Sequence, residues 1–197
     1  MKKDENNSGN DSDLVSSFKN GNSAAFERIV IKYQDRIFNL CYRFLGNMQE
    51  AEDAAQDVFV KVFKGLKRFR SESSLYTWIY RITINTCKNR IKSLDYRRLK
   101  KNIELADETF TANSSGAAVV KSNGDPSQLV ERKERMSQIQ TALDMLPPDQ
   151  KAVIVLRDIE GFSYDEISDI TGHKLGTVKS KLSRARNDLK NRLMGII

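Results

Sequence analysis

Residues 156–193 read LRDIEGFSYDEISDITGHKLGTVKSKLSRARNDLKNRL, and this stretch decides how the second half of the chain folds. Ile159-Glu160-Gly161-Phe162 stops one helix, and Ser163 with Glu166 gives the spacing of a capping box that opens the next. Gly172-His173-Lys174-Leu175-Gly176 predicts a tight turn. Thr177 to Leu193 then predicts a helix carrying Lys179, Lys181, Arg184, Arg186, Lys190 and Arg192 against one acid, Asp188. A short helix, a glycine turn and a basic second helix outline a helix-turn-helix DNA reader. On a helical wheel Val178, Leu182, Ala185, Leu189 and Leu193 share the packing face. Ser180, Ser183, Arg184 and Asn187 lie opposite, flanked by Lys179 and Lys190. Arginine can grip guanine through O6 and N7, while serine and lysine reach base edges or phosphates. The bland alternative is a solvated face, since lysine and arginine are ordinary surface residues; the capped helix and turn before it favour DNA.

Composition agrees with a polyanionic partner. The chain has 197 residues and a formal net charge of +7, with an isoelectric point near 9.4. Its length suits one or two small domains. It has two cysteines, Cys41 and Cys87, both within helical patterns, which argues against a disulfide framework and for a reducing cytoplasm. The N-terminal residues lack the apolar core of a secretory signal, and no run of about 18 apolar residues predicts a transmembrane helix. His173 is the one histidine, which leaves little room for a His-dependent triad or most zinc sites. No cofactor is expected.

Upstream, the periodicity is helical throughout and strand signals are absent. Residues 1–12 are polar and expected to be disordered. A short helix is expected over Asp13 to Lys19. Ser23 is the expected cap of a long helix with Phe26, Ile29, Val30, Tyr33, Ile37, Leu40, Cys41 and Phe44 on one stripe, ended by Gly46. Asn47 and Glu50 signal another cap, and the helix behind them is expected to bury Ala51, Ala54, Ala55, Val58, Phe59, Val62 and Phe63. A further helix is expected from about Ser74 to Lys92. The periodicity then fails, and residues 96–125 read as a flexible linker. Pro126 restarts a helix with Leu129, Val130, Met136, Ile139, Ala142, Leu143 and Leu146 as apolar positions, and Pro147-Pro148 opens the next. The fold class is therefore all-α: one helical domain over 13–95, a linker, and a helix-turn-helix domain over 126–197.

Two further faces carry chemistry. In the helix from Ser74, Arg81, Asn85, Lys88 and Lys92 share one side, with Trp78 and Asn89 at its margin. Cations beside an aromatic suit single-stranded nucleic acid, where charge tracks the backbone and rings stack on bases. Taken alone, a core-edge Trp78 with a solvated stripe is the stronger reading. The helix after Asn47 exposes Glu52, Asp53, Gln56, Asp57 and Lys61, a solubilising face or one that binds protein. Asp53 and Asp57 make no convincing catalytic dyad, since nothing nearby raises a carboxylate pKa or forms a substrate pocket.

The run Asp53-Ala54-Ala55-Gln56-Asp57-Val58-Phe59, the segment Phe69 to Ile82 and then Asn85 closely resemble region 2 of the extracytoplasmic-function sigma factors, and Tyr76 to Asn89 is especially like the sigma-E branch. Leu146-Pro147-Pro148, Gly161 to Ile167 and Gly176 to Arg186 resemble region 4 of the same family. The resemblance implies a non-catalytic subunit of bacterial RNA polymerase that selects and melts promoters. It implies docking on the clamp of the largest catalytic subunit through Asp53, Gln56, Asp57 and Phe59, and contact with the flap of the second-largest. It implies that single-stranded −10 DNA meets Phe69, Arg70, Ser71, Ser73, Ser74, Trp78, Arg81, Asn85, Lys88 and Lys92. A base flipped from the non-template strand would sit against Asn85, whose amide can read a base edge. Double-stranded −35 DNA would meet Arg157, Tyr164, Thr177, Lys179, Ser180, Ser183, Arg184 and Asn187. Lys179 stands where many relatives carry arginine, whose planar bidentate contact lysine lacks. The family also implies control by an anti-sigma factor, often membrane-anchored. A LuxR-like regulator is the alternative, but it accounts for the last third of the chain alone. A nucleic-acid-processing enzyme would need metal ligands, a phosphate loop or a nucleophile–base pair that the sequence lacks.

Overall fold

The computed structural model describes the backbone of residues 5–104 and 126–194, and side chains over 11–95 and 134–194. Among them the regular structure is helical, as expected. Four helices form the first half: α1 (Glu5–Lys19), α2 (Ala24–Leu45), α3 (Met48–Leu66) and α4 (Leu75–Glu104). The second half is α5 (Pro126–Asp144), α6 (Pro148–Ile154) continued by a π turn (Val155–Ile159), α7 (Tyr164–Thr171) and α8 (Leu175–Leu193).

The α2 stripe explains the centre of the first half. Ile29, Tyr33, Ile37, Leu40, Cys41 and Phe44 recur at steps of three and four and are all buried. Burying each such large side chain contributes about 1.5–3 kcal/mol. Ala51, Ala54, Val58 and Val62 of α3 let that helix pack closely on α2, and Ile79, Tyr80, Ile84 and Cys87 of α4 close the core. Cys41 and Cys87 meet there with sulfurs 3.7 Å apart. The Cys41 neighbour and burial push the Cys87 thiol above its ordinary pKa, so the pair packs as small apolar groups. Phe63 departs from expectation: it is half exposed, edge-on to Phe18 and Phe26 at the rim between α1 and α3.

Several ends differ from the sequence reading. Against the disorder expected over 1–12, a helix begins at Glu5, while residues 1–4 lie outside the described residues. Its Asp11 is buried and accepts hydrogen bonds from Tyr33 Oη (2.6 Å) and Lys32 Nζ, which ties α1 to α2. Ser23 makes no side-chain cap; Asn22 Oδ1 takes the Ala24 N–H instead. Asn47 caps α3 through the Glu50 N–H as expected, but the Glu50 carboxylate turns to Arg90 rather than back to the cap. The α4 helix runs to Glu104, past its expected end at Lys92 and into the stretch read as linker from residue 96. Residues 105–125 of that linker, the C-terminal residues 195–197 and the side chains of Leu129 and Val130 lie outside the described residues. Met136 and Ile139 are exposed, because α5 meets the core through Ala142 and Leu143 near its C-terminal end, with Leu146 buried just beyond it.

The two halves meet along a seam that the sequence did not announce. Lys151 Nζ donates to Phe44 O (2.7 Å) and Gln140 Nε2 to Arg43 O (3.1 Å), so side chains of the second half satisfy orphan carbonyls at the end of α2. Lys151 is buried, which pushes its pKa down, and Asp144 at 2.7 Å opposes that shift. Gly46 permits this approach: its φ is +68°, and a Cβ there would stand 2.5 Å from Asp144 Oδ2. The π turn completes the seam. Its extra residue ends the helix with Glu160 N bonded to Val155 O, and delivers Glu160 and Phe162 onto α4. Phe162 stacks on Tyr76 (4.9 Å, 15°) and meets Tyr80 edge-on, while Tyr80 Oη donates to Glu160 Oε2 at 2.9 Å.

Candidate nucleic-acid interface

In the second half the local sequence builds the expected motif. Ser163 Oγ accepts from Glu166 N, and Glu166 Oε2 accepts from Ser163 N, so the capping box at the start of α7 is complete. Gly172 ends α7 with φ +72°, where a Cβ would be strained. The turn is shorter than expected, since α8 starts at Leu175 and takes in Gly176. Val178, Leu182 and Ala185 bury one face of α8, and Leu189 packs at its edge. Arg186 pairs with both oxygens of Asp158 (2.6 and 3.0 Å), which fixes the roll of α8 against the π turn.

Lys179, Ser180, Ser183, Arg184 and Asn187 are left together on the exposed face, with Thr177 half-buried at its start. Ser180 Oγ is bonded to Thr177 O (3.0 Å) and can still accept. Tyr164 of α7 lies between two cations: the Arg157 guanidinium is 5.0 Å from its ring centroid and Lys179 Nζ 5.9 Å. Arg157 also donates to Phe162 O (2.7 Å), so its charge is held beside the α8 face. This surface offers one fork of arginine donors, two hydroxyls, an amide and flanking cations on one helix, a set that suits base edges and phosphates in a major groove.

In the first half, Arg81, Asn85, Asn89 and Lys92 are exposed on one side of α4, with Lys88 partly covered. Asn85 makes no hydrogen bond among the described residues, so its amide is available. The loop before α4 is more constrained than its polar sequence suggests. Ser71 has φ +57°, a left-handed conformation that turns the chain sharply and leaves Arg70 and Ser71 exposed. Ser73 is half-buried, and Ser74 caps α4 by accepting from Thr77 N at 3.0 Å. Phe69 is buried rather than presented: its ring packs on Trp78 at 5.0 Å. Trp78 in turn covers Gly65, where a Cβ would stand 3.0 Å from its ring. The core-edge role is thus the one Trp78 performs here. The loop has one anchor that sequence reasoning missed, Lys19 Nζ donating to Phe69 O at 2.6 Å from the end of α1.

The third face lies on α3. Gln56 and Asp57 are exposed, and Asp53 and Phe59 half-buried. Arg90 of α4 gathers its acids: the guanidinium pairs with Glu50, with Asp53 (2.8 Å) and with Asp57 (3.2 Å). Sequence reasoning missed Arg90, though a signal existed. It lies opposite the Arg81–Asn85–Lys88–Lys92 stripe on the wheel, a cation on the otherwise apolar side of α4. Among the described residues no cluster of His, Cys, Asp and Glu could hold a metal ion.

Profiles of known families match both halves. The profile described as Sigma-70 region 2 matches residues 29–97, and Sigma-70, region 4 matches residues 136–189. The chain is 34% identical over 187 residues to the RNA polymerase sigma-H factor of Pseudomonas aeruginosa, covering 95% of each protein. It is 32% identical over 184 residues to the ECF RNA polymerase sigma-E factor of Escherichia coli K12, covering 93% of this chain and 94% of that one. Among solved structures, it resembles the sigma factor RpoE in complex with the anti-sigma factor NepR from Bartonella quintana. That match has TM-score 0.63 and 25% identity, over 86% of this chain and 96% of that one. The fold also matches CnrH in complex with the cytosolic domain of CnrY, with TM-score 0.66 and 21% identity over 94% and 98%.

Proposed function

The chain belongs to the extracytoplasmic-function sigma factors of the sigma-70 family, and from that premise we propose how its three faces divide the work of initiation. Sigma factors are transcription initiation factors, so its partners are core RNA polymerase and promoter DNA. The α8 face, through Lys179, Ser180, Ser183, Arg184 and Asn187 with Thr177, Arg157 and Tyr164 in support, reads the −35 duplex. The α4 face and its loop, with Asn85 at the centre and Arg70, Ser71, Ser73, Ser74, Arg81, Lys88 and Lys92 around it, hold the −10 single strand. Phe69 and Trp78 act beneath that surface by fixing the loop. The α3 face, through Asp53, Gln56, Asp57 and Phe59, docks on the polymerase clamp, and the flap takes the second half. The chain makes and breaks no covalent bond; polymerase does.

The observation that carries this reading is the pairing of an exposed α8 reading face with an unpartnered Asn85 on a separate basic stripe, each within its own family match. A LuxR-like regulator would leave the match over residues 29–97 without a purpose. No described helix is long and apolar enough to cross a membrane, and the chain works in the cytoplasm beside polymerase. The relative RpoE is held by the anti-sigma factor NepR, and we infer an anti-sigma factor for this chain as well.

Arg184 tests the −35 assignment. Arg184 makes no hydrogen bond or ion pair among the described residues, so Arg184→Ala should leave the fold intact. It should weaken binding to the preferred −35 sequence by about 1–3 kcal/mol and relax preference at one base pair. Competition binding across single-base variants checks this: equal loss on every sequence would make Arg184 a phosphate contact instead.

A further inference from the structure

Arg90 stands apart from the other polar residues of α4. Arg81, Asn85, Lys88 and Lys92 share one side of the helix, while Arg90 turns the other way, against α3. It is half-buried, and three of its nitrogens go to three different carboxylates. Nε donates to Glu50 Oε2, Nη2 to Asp53 Oδ2 at 2.8 Å and Nη1 to Asp57 Oδ2 at 3.2 Å. Those acids follow one another at i, i+3 and i+7 on α3. Left to themselves, acids at such spacings repel and spread over several rotamers. A planar fork of donors holds all three in one arrangement, which the point charge of an ammonium does not.

Arg90 takes one oxygen of each carboxylate, and what it leaves free points to a partner. Asp57 Oδ1 accepts no hydrogen bond from a described residue. Lys61, the ordinary helical partner of Asp57 at i+4, donates to Thr86 Oγ1 at 2.8 Å instead. Asp53 Oδ1 meets the Gln49 amide at the long distance of 3.5 Å. Three carboxylates around one guanidinium also keep two negative charges. The result is an anionic face with fixed outward acceptors, the complement of a basic surface that carries arginine or amide donors.

We propose that Arg90 is a positioning residue for docking on core polymerase: it holds Asp53 and Asp57 with one oxygen each turned outward, so that both acids meet the clamp already ordered. The proposal rests on reading the α3 face as the docking face. Arg90 touches no polymerase group itself and acts through the two aspartates. Ordering flexible side chains at an interface weakens association, and ordering them beforehand removes that cost. The positive charge of Arg90 has a separate, opposing effect, since it makes the face less attractive to a basic surface at a distance. Salt screens that attraction but not the arrangement of the acids. Arg90→Lys separates the two effects, because it keeps the charge and loses the fork.

The test compares dissociation constants of the full chain for core polymerase, by competition with the unaltered chain at about 0.15 M ionic strength. Arg90→Lys should weaken binding about fivefold, with its helical circular dichroism unchanged. In a chain already carrying Asp53→Asn and Asp57→Asn, the same substitution should change binding by less than about twofold, since the carboxylates it acts through are gone. A merely structural role for Arg90 would lower affinity equally in both backgrounds, and that outcome overturns the proposal. An Arg90→Lys chain that binds as tightly as the unaltered one overturns it too. Should Arg90→Lys lose its helical circular dichroism, Glu50→Gln frees the fork at its third corner without touching either aspartate. It must then weaken binding about threefold, and unchanged binding overturns the proposal equally. The underlying reading has its own arm: if the chain carrying Asp53→Asn and Asp57→Asn binds core polymerase as tightly as the unaltered chain, the docking face is misassigned and the proposal falls with it.

Discussion

Asn85→Ala is expected to weaken open-complex formation by roughly 10- to 100-fold, the equivalent of about 1.4–2.8 kcal/mol, while binding to core polymerase is unchanged. Asn85 is exposed on α4 and partners no described residue, so its removal costs the fold nothing. What it removes is an amide with two donors and an acceptor, facing outward from a helix whose N-terminal loop is held by Ser74, Phe69 and Lys19. Flipping a base from the stack costs a few kcal/mol, and a fixed polar group recovers that cost for a base whose edge fits. On the proposed reading melting and base recognition are one event, so losing Asn85 should impair both. Permanganate footprinting of the −10 region, beside a titration with core polymerase, measures the two effects separately. Unchanged melting and an unchanged −10 preference would remove Asn85 from the pocket.

Phe162→Ala is expected to destabilise the isolated chain by about 3–5 kcal/mol. Phe162 is 3% exposed and touches both Tyr76 and Tyr80, so truncation opens a void between rings that cannot close without moving α4. The ring contacts contribute about 0.5–1.5 kcal/mol per pair beyond simple burial. The loss falls on the seam, leaving the exposed faces of α4 and α8 proposed to meet DNA intact. Urea unfolding should therefore show a lower midpoint, while promoter-directed initiation with core polymerase persists, since Phe162 belongs to none of the three proposed faces. If the variant remains folded but initiation collapses, the seam belongs to the active arrangement.

How much of this was readable beforehand depended on the range of the interaction. The α2 stripe from Ile29 to Phe44 and the Ser163–Glu166 box are local: their spacing states the helix and its cap. The exposed side of α8 was legible for the same reason, since the buried run Val178, Leu182 and Ala185 leaves Ser180, Ser183 and Arg184 outside. Contacts between residues far apart in the chain left no such trace. Tyr80 and Glu160 stand eighty positions apart, and Lys151 and Phe44 one hundred and seven. No periodicity announces that the second half lies against α2 and α4. Phe69 looked available because it sits in a polar loop, and only the position of Trp78 shows that its ring is buried. The extension of α4 to Glu104 escaped notice because helix amphipathicity fades where lysine and arginine accumulate, although both are good helix formers.

The central claim is that one chain reads two promoter elements on behalf of polymerase. Transcription of a template library with randomised −35 and −10 elements, by core polymerase with and without this chain, tests it most directly. The expected result is a transcript pool that, only when the chain is present, is enriched for one −35 sequence and one −10 sequence at a fixed spacing. A pool that stays random, from a chain that nevertheless binds DNA tightly by itself, would contradict it.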